Sequence, residues 1–429
     1  MQPFDVRDER TTDVVVIGAG AAGVAAARSL RAAGRDVMTL EARDRLGGRV
    51  WTTLDLAPFP VELGAEYIHG ERVVTWGWLQ EFGLDAVDAR RGEGWWAFAG
   101  GKLLDPKGFA ALMPIHPFDD LCDAASAWES ATATMETALR VWARGNATRQ
   151  LETAWSLWNS AACVDRGADL DQLGVDTFLE ATYPGDGDGN FRVRGGYNSV
   201  FERAASLLDV RLGTPVTAVE WGGHGATVHS GSMAVACEHV IVTLPLGVLK
   251  AGVVTFDPPL PAWKRDAVER LGVGHVGTVV LVFDAPFWPE DMCGFFTDLD
   301  AQSWIVPGWD WPQRAPVLRA LMGGRAAERF ETAPEAVAKA VRELEMVFGV
   351  GLAGRLHKGL FAGWGTDPWA RTGYSYVPPG GRGLRAALAE PVGRVLFFAG
   401  EATHVVRPGT VHGAIESGER ATTEVLKQS

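Results

Sequence analysis

Residues 12–53, TDVVVIGAGAAGVAAARSLRAAGRDVMTLEARDRLGGRVWTT, constrain the chain more than any other stretch. Val14 to Ile17 is a fully apolar run. A run with no polar face suits a strand buried on both sides of a parallel sheet. Gly18-Ala19-Gly20-Ala21-Ala22-Gly23 follows at once, and an Ala/Leu-rich helical pattern runs on to about Ala33. Gly18 allows the tight strand-to-helix turn, Gly20 lets backbone approach a pyrophosphate, and Gly23 lets helix pack on strand. The helix N-terminus, with Ala22 in its first turn, then offers N–H groups and a positive dipole end to phosphates. Gly34 closes the helix, and Asp36 to Leu40 reads as a second strand ending in Glu41. An acid about twenty residues past the glycines suits a ribose diol and repels a 2′-phosphate. A glycine triplet alone is a weak signal; strand, glycines, helix, strand and acid in this order predict a dinucleotide-binding βαβ unit.

Arg43, Leu46-Gly47-Gly48-Arg49 and Thr52 continue the stretch, and Val61-Glu62-Leu63-Gly64-Ala65-Glu66-Tyr67-Ile68-His69-Gly70 follows. A second cation at Arg49 makes physical sense, because one helix dipole neutralises two phosphates only in part. These segments resemble the FAD-binding region of the flavin amine oxidase family: monoamine and polyamine oxidases, L-amino-acid oxidases and lysine-specific histone demethylases. The resemblance implies that Arg43, Gly48 and Arg49 wrap the adenosine and pyrophosphate of FAD, while Gly64, Ala65, Glu66 and Tyr67 lie against the flavin ring. Near the other end, Val395 to Thr403 and Gly413 to Ala421 resemble the family's C-terminal flavin motif. That likeness implies a strand, a Gly400-Glu401 turn whose acid holds ribitol hydroxyls, and a helix whose N-terminus, with Thr410, Val411 and Ala414, faces the flavin and stabilises its reduced anion. Val216 and the turn at Thr243 are the implied contacts from mid-chain.

At 429 residues the chain is too long for one simple core. Its 47% hydrophobic and 22% charged content is that of an ordinary globular protein. A net charge of −13 argues against nucleic acid or an anionic membrane as partner. Cys122, Cys163, Cys237 and Cys293 are widely spaced, with no ligand cluster, which suits reduced thiols in the cytoplasm and no bound metal. No signal peptide and no run of eighteen apolar residues is visible, unlike the membrane-anchored monoamine oxidases.

Helical patterns at residues 71–83, 119–146 and 149–163 alternate with loops, including an Asp/Gly run at 184–189 that lacks the spacing of a calcium loop. Residues 191–197 open a helix to about Leu208, Val210 to Trp221 alternates like a strand, and strands are expected at 226–228, 233–237 and 239–243. Further strands are expected at 276–284, 315–322 and 358–364, with a helix over 333–348. The predicted fold is α/β: a Rossmann-like FAD-binding domain (1–70, 191–255 and 391–429) interleaved with an α+β substrate-binding domain of antiparallel sheet plus helices (71–190 and 256–390).

A flavin removes hydride from a carbon bearing a neutral amine, so the protein supplies orientation, a dry cavity and electronic tuning rather than a nucleophile. Residues 364–375 resemble the segment carrying one wall of the family's aromatic cage, with Trp364 beside the flavin and Tyr374 as the wall; an aromatic packed in the core is the plain alternative. No Cys lies nearby, so FAD is expected to bind non-covalently. The opposite wall, usually Tyr or Trp, is Thr410, and the family's lysine beside flavin N5 is Thr278. The open cage fits a substrate wider than a slim alkylamine, and loss of the lysine points toward slower reaction with oxygen. His275, next to that strand, is expected on its opposite face. His69 stands in a Gly-Ala-x-aromatic-Ile-His-Gly run similar to that of polyamine oxidases, where the His contacts the substrate amine; a histidine near pKa 6.5 helps keep an amine neutral. Arg90-Arg91 reads as a solvated pair rather than a carboxylate clamp, and Trp95-Trp96 as core rather than pocket lining. The expected activity is oxidation of a polyamine or secondary amine to an imine, with O2 reduced to H2O2, by a monomer or homodimer. The alternatives are an L-amino-acid oxidase, an amine dehydrogenase with another acceptor, and a flavoprotein scaffold without turnover.

Overall fold

The computed structural model describes residues 8–89, 94–112, 117–128, 130, 132–146, 151–180, 185–309, 311–330 and 332–428. Arg90 and Arg91 lie outside the described residues. The strand Asp8–Ile17 runs parallel to Val37–Leu40 on one side and to Met233–Val242 on the other. Its central valines are completely buried, as an all-apolar run requires. Val14 and Val16 face a core shared with the helices Ala21–Ala32, Asn198–Ala205 and Val411–Leu426, whereas Val15 and Ile17 face a second core with Val219, Val228 and Val235. Burying each such side chain contributes about 1.5–3 kcal/mol, so this strand is fixed from both sides. The eight-stranded sheet continues through Asp209–Arg211 at one edge and Gly225–Ser230, Ala218–Gly222 and Thr255–Asp257 at the other, with Leu396–Phe398 also paired to Met233–Val242.

A seven-stranded sheet has the order Leu356–Gly363, Val276–Phe283, Val317–Gly323, Ser303–Ile305, Gly294–Thr297, Trp95–Ala99, Lys102–Leu104. Val279, Leu281 and Phe283 pack beneath the helix Ala333–Phe348, while Val276 and Val280 face a core containing Leu63 and Trp364. The helices Pro117–Ser126, Met135–Asn146 and Leu151–Arg166 form a further core around Leu139, Leu157 and Trp158. No helix among the described residues is long and apolar enough to cross a membrane.

Several elements differ from expectation. The pattern at 119–146 is two helices, because Thr134 accepts from the Thr137 N–H at 3.2 Å and starts the second. The insertion holds the strands Ala86–Asp88, Trp95–Ala99 and Lys102–Leu104, since a short apolar run cannot be told from buried helix by period. The stretch 210–221 is two strands broken at Gly213 and Pro215, and 233–242 is one strand rather than two. The larger sheet also reaches Asp257, beyond the expected crossing at 256.

Lys264, on the helix Ala262–Arg270, is fully buried and donates to the carbonyls of Ala387 (2.9 Å), Leu388 (2.7 Å) and Glu390 at the end of the helix Leu384–Ala389. One ammonium thus meets the carbonyls that a helix end leaves unpaired. Lys264→Met is expected to cost about 3 kcal/mol, because buried acceptors lose their donor. Urea unfolding of the FAD-loaded protein checks this, and an unchanged midpoint would show that the carbonyls find other partners.

Candidate active site

The first turn of the site is built from backbone. Gly18 has φ +103°, and a Cβ there would stand 2.6 Å from Thr243 Oγ1, which itself donates to the Ile17 carbonyl at 2.7 Å. A Cβ on Gly23 would stand 1.9 Å from the Gly18 carbonyl oxygen. Gly20 bridges to Gly47, and a Cβ on Gly48 (φ +60°) would stand 3.2 Å from the Gly20 Cα. The two glycine elements therefore lie directly on each other with no side chain between them. The helix Ala21–Ala32 begins at Gly20 with no side-chain cap, leaving its first N–H groups for an external acceptor. This bed fits a diphosphate.

Glu41, buried at the end of the second strand, accepts from the Ala19 N–H at 2.7 Å and the Arg43 N–H at 2.8 Å. The Glu41 carbonyl accepts from the Thr214 N–H at 2.7 Å, and Val216 packs into the core behind it. The Arg43 guanidinium forms a two-pronged pair with Asp367 (2.6 and 2.8 Å) and lies 5.9 Å over Trp364. Ala22 serves packing, because a Cβ on Gly418 of the last helix would stand 2.2 Å from its carbonyl oxygen.

On the other side of the bed, Arg49 donates to the Gly373 carbonyl at 2.6 Å and lies 3.2 Å from Glu401. Glu401 is buried and also accepts from the Ser375 hydroxyl (2.7 Å) and the Gly409 N–H (3.0 Å). Burial alone would raise its pKa, but Arg49, Arg385 and Ser375 outweigh it and hold the carboxyl below its ordinary value. Three protein donors thus meet its two oxygens, one on Oε1 and two on Oε2. Gly400, at φ +128°, donates to Ser417 Oγ at 2.8 Å and locks the turn to the last helix. Thr410 begins that helix: its hydroxyl accepts from the Gly413 N–H at 3.0 Å and donates to the Arg407 carbonyl at 2.9 Å. The position of the second cage wall is therefore occupied by a helix cap, with Val411 and Ala414 in the turns behind it. The Tyr374 ring lies against Gly409, where a Cβ would approach it to 3.5 Å, and burial pushes its hydroxyl up to about 12.

The segment Gly64–Tyr67 closes a third side. A Cβ on Gly64 would stand 1.9 Å from the Arg49 carbonyl oxygen and 3.0 Å from the Trp364 ring, and the Ala65 N–H donates to that carbonyl at 3.1 Å. Trp364, buried, donates to the Leu63 carbonyl at 3.1 Å. Glu66 is engaged by Arg192 (2.7 Å) and Arg319 (2.8 Å), and Arg192 donates to the Tyr67 hydroxyl at 3.3 Å. Thr278 is fully buried on the strand face that carries Val276 and Val280, and its Oγ1 has no hydrogen-bond partner among the described residues. His275 lies 3.5 Å from Glu328, whose neighbour Ala327 belongs to the core on the opposite face. His69 is exposed on one side while its Nδ1 lies 2.6 Å from Asn190 Oδ1 and its ring 5.9 Å from Tyr67. Desolvation by the surrounding protein lowers its pKa below 6.5, against the raising effect of Asn190. Of the tryptophan pair, both half-buried, Trp95 stacks on Phe296 at 5.0 Å and Trp96 packs against the core under the second sheet.

The model of the family described as flavin containing amine oxidoreductase matches residues 21–426. The chain belongs to this family. By that description its members are flavin containing amine oxidoreductases. Among relatives, it is 30% identical to polyamine oxidase 4 of Oryza sativa subsp. japonica over 97% of this chain and 88% of the relative, and 30% identical to polyamine oxidase 2 of Arabidopsis thaliana over the same shares. It is also 30% identical to lysine-specific histone demethylase 1 homolog 3 of Arabidopsis thaliana, over 99% of this chain and 30% of the relative. The chain spans only 30% to 60% of the length of the three plant demethylase relatives that match first. In fold it is similar to putrescine oxidase bound to putrescine (TM-score 0.82, 24% identity, covering 98% of this chain and 100% of that one).

Sequence reading of this amine oxidoreductase missed the residues that hold the candidate site residues in place. Arg319 is a single charge inside the apolar strand Val317–Gly323, which was a visible signal. Arg192 stands in the run 191–197. His412, whose pKa burial and then His69 lower to about 4, lies 3.7 Å from Asp186, and Asp186 also grips Arg407 at 2.9 Å. The Asp/Gly run that offered only a turn in sequence thus pins the start of the last helix through Asp186.

Proposed function

We propose that this amine oxidoreductase oxidises a polyamine or related secondary amine, with O2 as the acceptor and H2O2 as the second product. With it goes the division of the chain into an FAD-binding domain around the larger sheet and a substrate-binding domain around the smaller one. The observation that carries the reading is the convergence of His69 and Tyr374 on the N-terminus of the helix Val411–Leu426: Tyr374 lies against Gly409, and Gly70, next to His69, packs on the backbone of Asp186, whose carboxylate faces His412 at 3.7 Å. Gly18, Gly20 and Gly23 would hold the pyrophosphate, Glu41 the adenosine ribose, and Arg49 with Gly64–Tyr67 the flavin end, non-covalently. When bound, flavin would supply a hydride acceptor for the carbon beside the amine nitrogen; the iminium so formed gives up its N–H proton, and water opens the imine to a carbonyl compound and a smaller amine. His69, neutral near pH 7, receives the substrate amine without adding a charge that would repel it. Tyr374 supplies an aromatic face for the reacting nitrogen, and Thr410 in place of a second aromatic leaves width for a secondary amine. Arg166, whose carbonyl lies against Gly274, the strand partner of Tyr374, has its Nε 3.0 Å from Asp165 and its guanidinium 5.4 Å over Phe178. That engagement favours an amine over an amino acid, whose carboxylate needs an open guanidinium fork. Thr278 favours a second reading, a dehydrogenase with another acceptor.

Anaerobic flavin absorbance, followed while polyamines, arylalkylamines and L-amino acids are added singly and air is admitted last, tests both. Bleaching by a polyamine with rapid return of colour in air is expected. Slow return would establish the dehydrogenase reading, and bleaching by L-amino acids alone would overturn the substrate. Tyr374→Ala is expected to lower kcat/KM roughly tenfold, the equivalent of about 1.4 kcal/mol; unchanged turnover would remove Tyr374 from the site.

A further inference from the structure

A flavin that takes up a hydride gains negative charge, so fixed charge beside the ring sets how readily it is reduced. Thr278 brings none. The register pairs Thr278 with Leu321 and Val280 with Arg319, and residues two apart on a strand share a face. The Arg319 side chain thus rises on the same sheet face, one strand over. It donates to the carbonyls of Glu62 (2.8 Å) and Gly64 (3.1 Å) and to the Glu66 carboxylate (2.8 Å), so it sits directly behind the Gly64–Tyr67 segment. Arg192 reaches the other Glu66 oxygen at 2.7 Å and donates to the Pro307 carbonyl at 2.9 Å. Glu62, Glu66, Arg192 and Arg319 are all buried. Burial, only partly offset by hydrogen bonds from Tyr197 and Thr52, pushes Glu62 up to about 8 and leaves it uncharged near pH 7. Two guanidiniums therefore face one carboxylate, in an interior where water does little to screen the remainder.

We infer that Arg319, held with Arg192 on Glu66, is the fixed positive charge that tunes the flavin of this chain, in place of a cation at position 278. Arg319 acts through the field across the Gly64–Tyr67 segment and is a positioning residue, not a catalytic one. Its part rests on the flavin lying against that segment, as proposed above, and its measurement needs no amine.

The test is the flavin midpoint potential, measured by dye equilibration on protein whose visible spectrum shows full flavin. Arg319→Gln is expected to make reduction at least tenfold less favourable, about 30 mV lower for a two-electron couple. Glu66→Gln removes the negative member and is expected to move the potential the opposite way, upward. Arg319→Lys keeps the charge and stays near the parent value, and Thr278→Lys added to Arg319→Gln restores it. A role in packing alone predicts that Arg319→Gln and Glu66→Gln shift together or not at all, and either result overturns the inference. Where Arg319→Gln fails to retain flavin, the sign of the Glu66→Gln shift decides. Thr278→Lys alone reports on placement: no rise means that the flavin lies elsewhere and the inference falls with it. A rise there, with none in Glu66→Gln, removes the cluster but keeps the placement.

Discussion

Gly23→Ala is expected to yield a protein that purifies without FAD. The added methyl would stand 1.9 Å from the Gly18 carbonyl oxygen and 2.9 Å from the Gly18 carbonyl carbon. Both neighbours are backbone, so no side chain can swing aside. The first turn of the helix must lift from the strand, and Gly18, held by its N–H to the Leu40 carbonyl at 2.8 Å, moves with it or breaks that bond. Overpacking of this kind costs about 1–3 kcal/mol or more. The larger effect falls on the ligand, because the diphosphate bed depends on where the first N–H groups point. Gly34→Ala is the matched control: it too lies in the βαβ unit, at φ +79°, but nothing stands within 4 Å of its added Cβ. Gly34→Ala should keep its flavin with a modest loss of stability. Full flavin occupancy in Gly23→Ala, read from the ratio of visible to ultraviolet absorbance, would undo the assignment of this turn to the pyrophosphate.

Glu401→Ala is expected to cost about 3–5 kcal/mol and most of the bound flavin, since removing one member of a buried ion pair leaves its partners charged and unsatisfied. Arg49 and the Gly409 N–H would lose an acceptor, and Ser375, which links Glu401 to Arg385, would be left on Arg385 alone. The effect depends on pH with a defined sign. Glu401 has a lowered pKa in the folded protein, so it binds protons less readily there than in the unfolded chain. Its stabilisation is complete above the ordinary carboxylate range and is lost as pH falls through the lowered value. The gap in unfolding free energy between the parent and Glu401→Ala should therefore be widest near pH 7 and narrow in acid. A gap that stays constant down to pH 3 would show that Glu401 acts through packing rather than charge.

The glycine bed and the first strand were legible in sequence because each rests on local chemistry: an all-apolar run, a tight turn, a helix start. Thr278 was legible on the face of Val276 and Val280 because strand alternation is a fixed rule. What could not be read was the use of each polar side chain. Arg43 stands in a cofactor-like motif, but its partner Asp367, more than three hundred residues away, could not be read from it. Glu401 could be singled out by its motif, but not the three donors that meet its oxygens, Arg49, Ser375 and Gly409, which come from separate segments. Thr410 looked like a missing aromatic, and the structure gives it a cap to make. Glu66 stood in a flavin-like motif, but the two arginines that hold it come from separate strands of different sheets. Pairings of this kind are decided by which segments the two sheets bring together, and no spacing rule encodes them. The helix pattern at 119–146 failed for a nearer reason: one hydroxyl at Thr134 restarts the backbone, and hydrophobic period does not register it.

The strand Leu396–Phe398 docks onto Met233–Val242, deep within the larger sheet, and delivers Glu401 and the last helix behind it. A ribosome adding roughly 5–20 residues per second therefore finishes the glycine bed long before the segment that completes the cofactor's surroundings. Until residues past 395 emerge, the nascent chain carries an open sheet position beside Met233–Val242 and an Arg49 without its carboxylate partner Glu401. Flavin capture is thus a late event in the birth of this protein, and the interval before it is when chaperones have an exposed strand edge to guard.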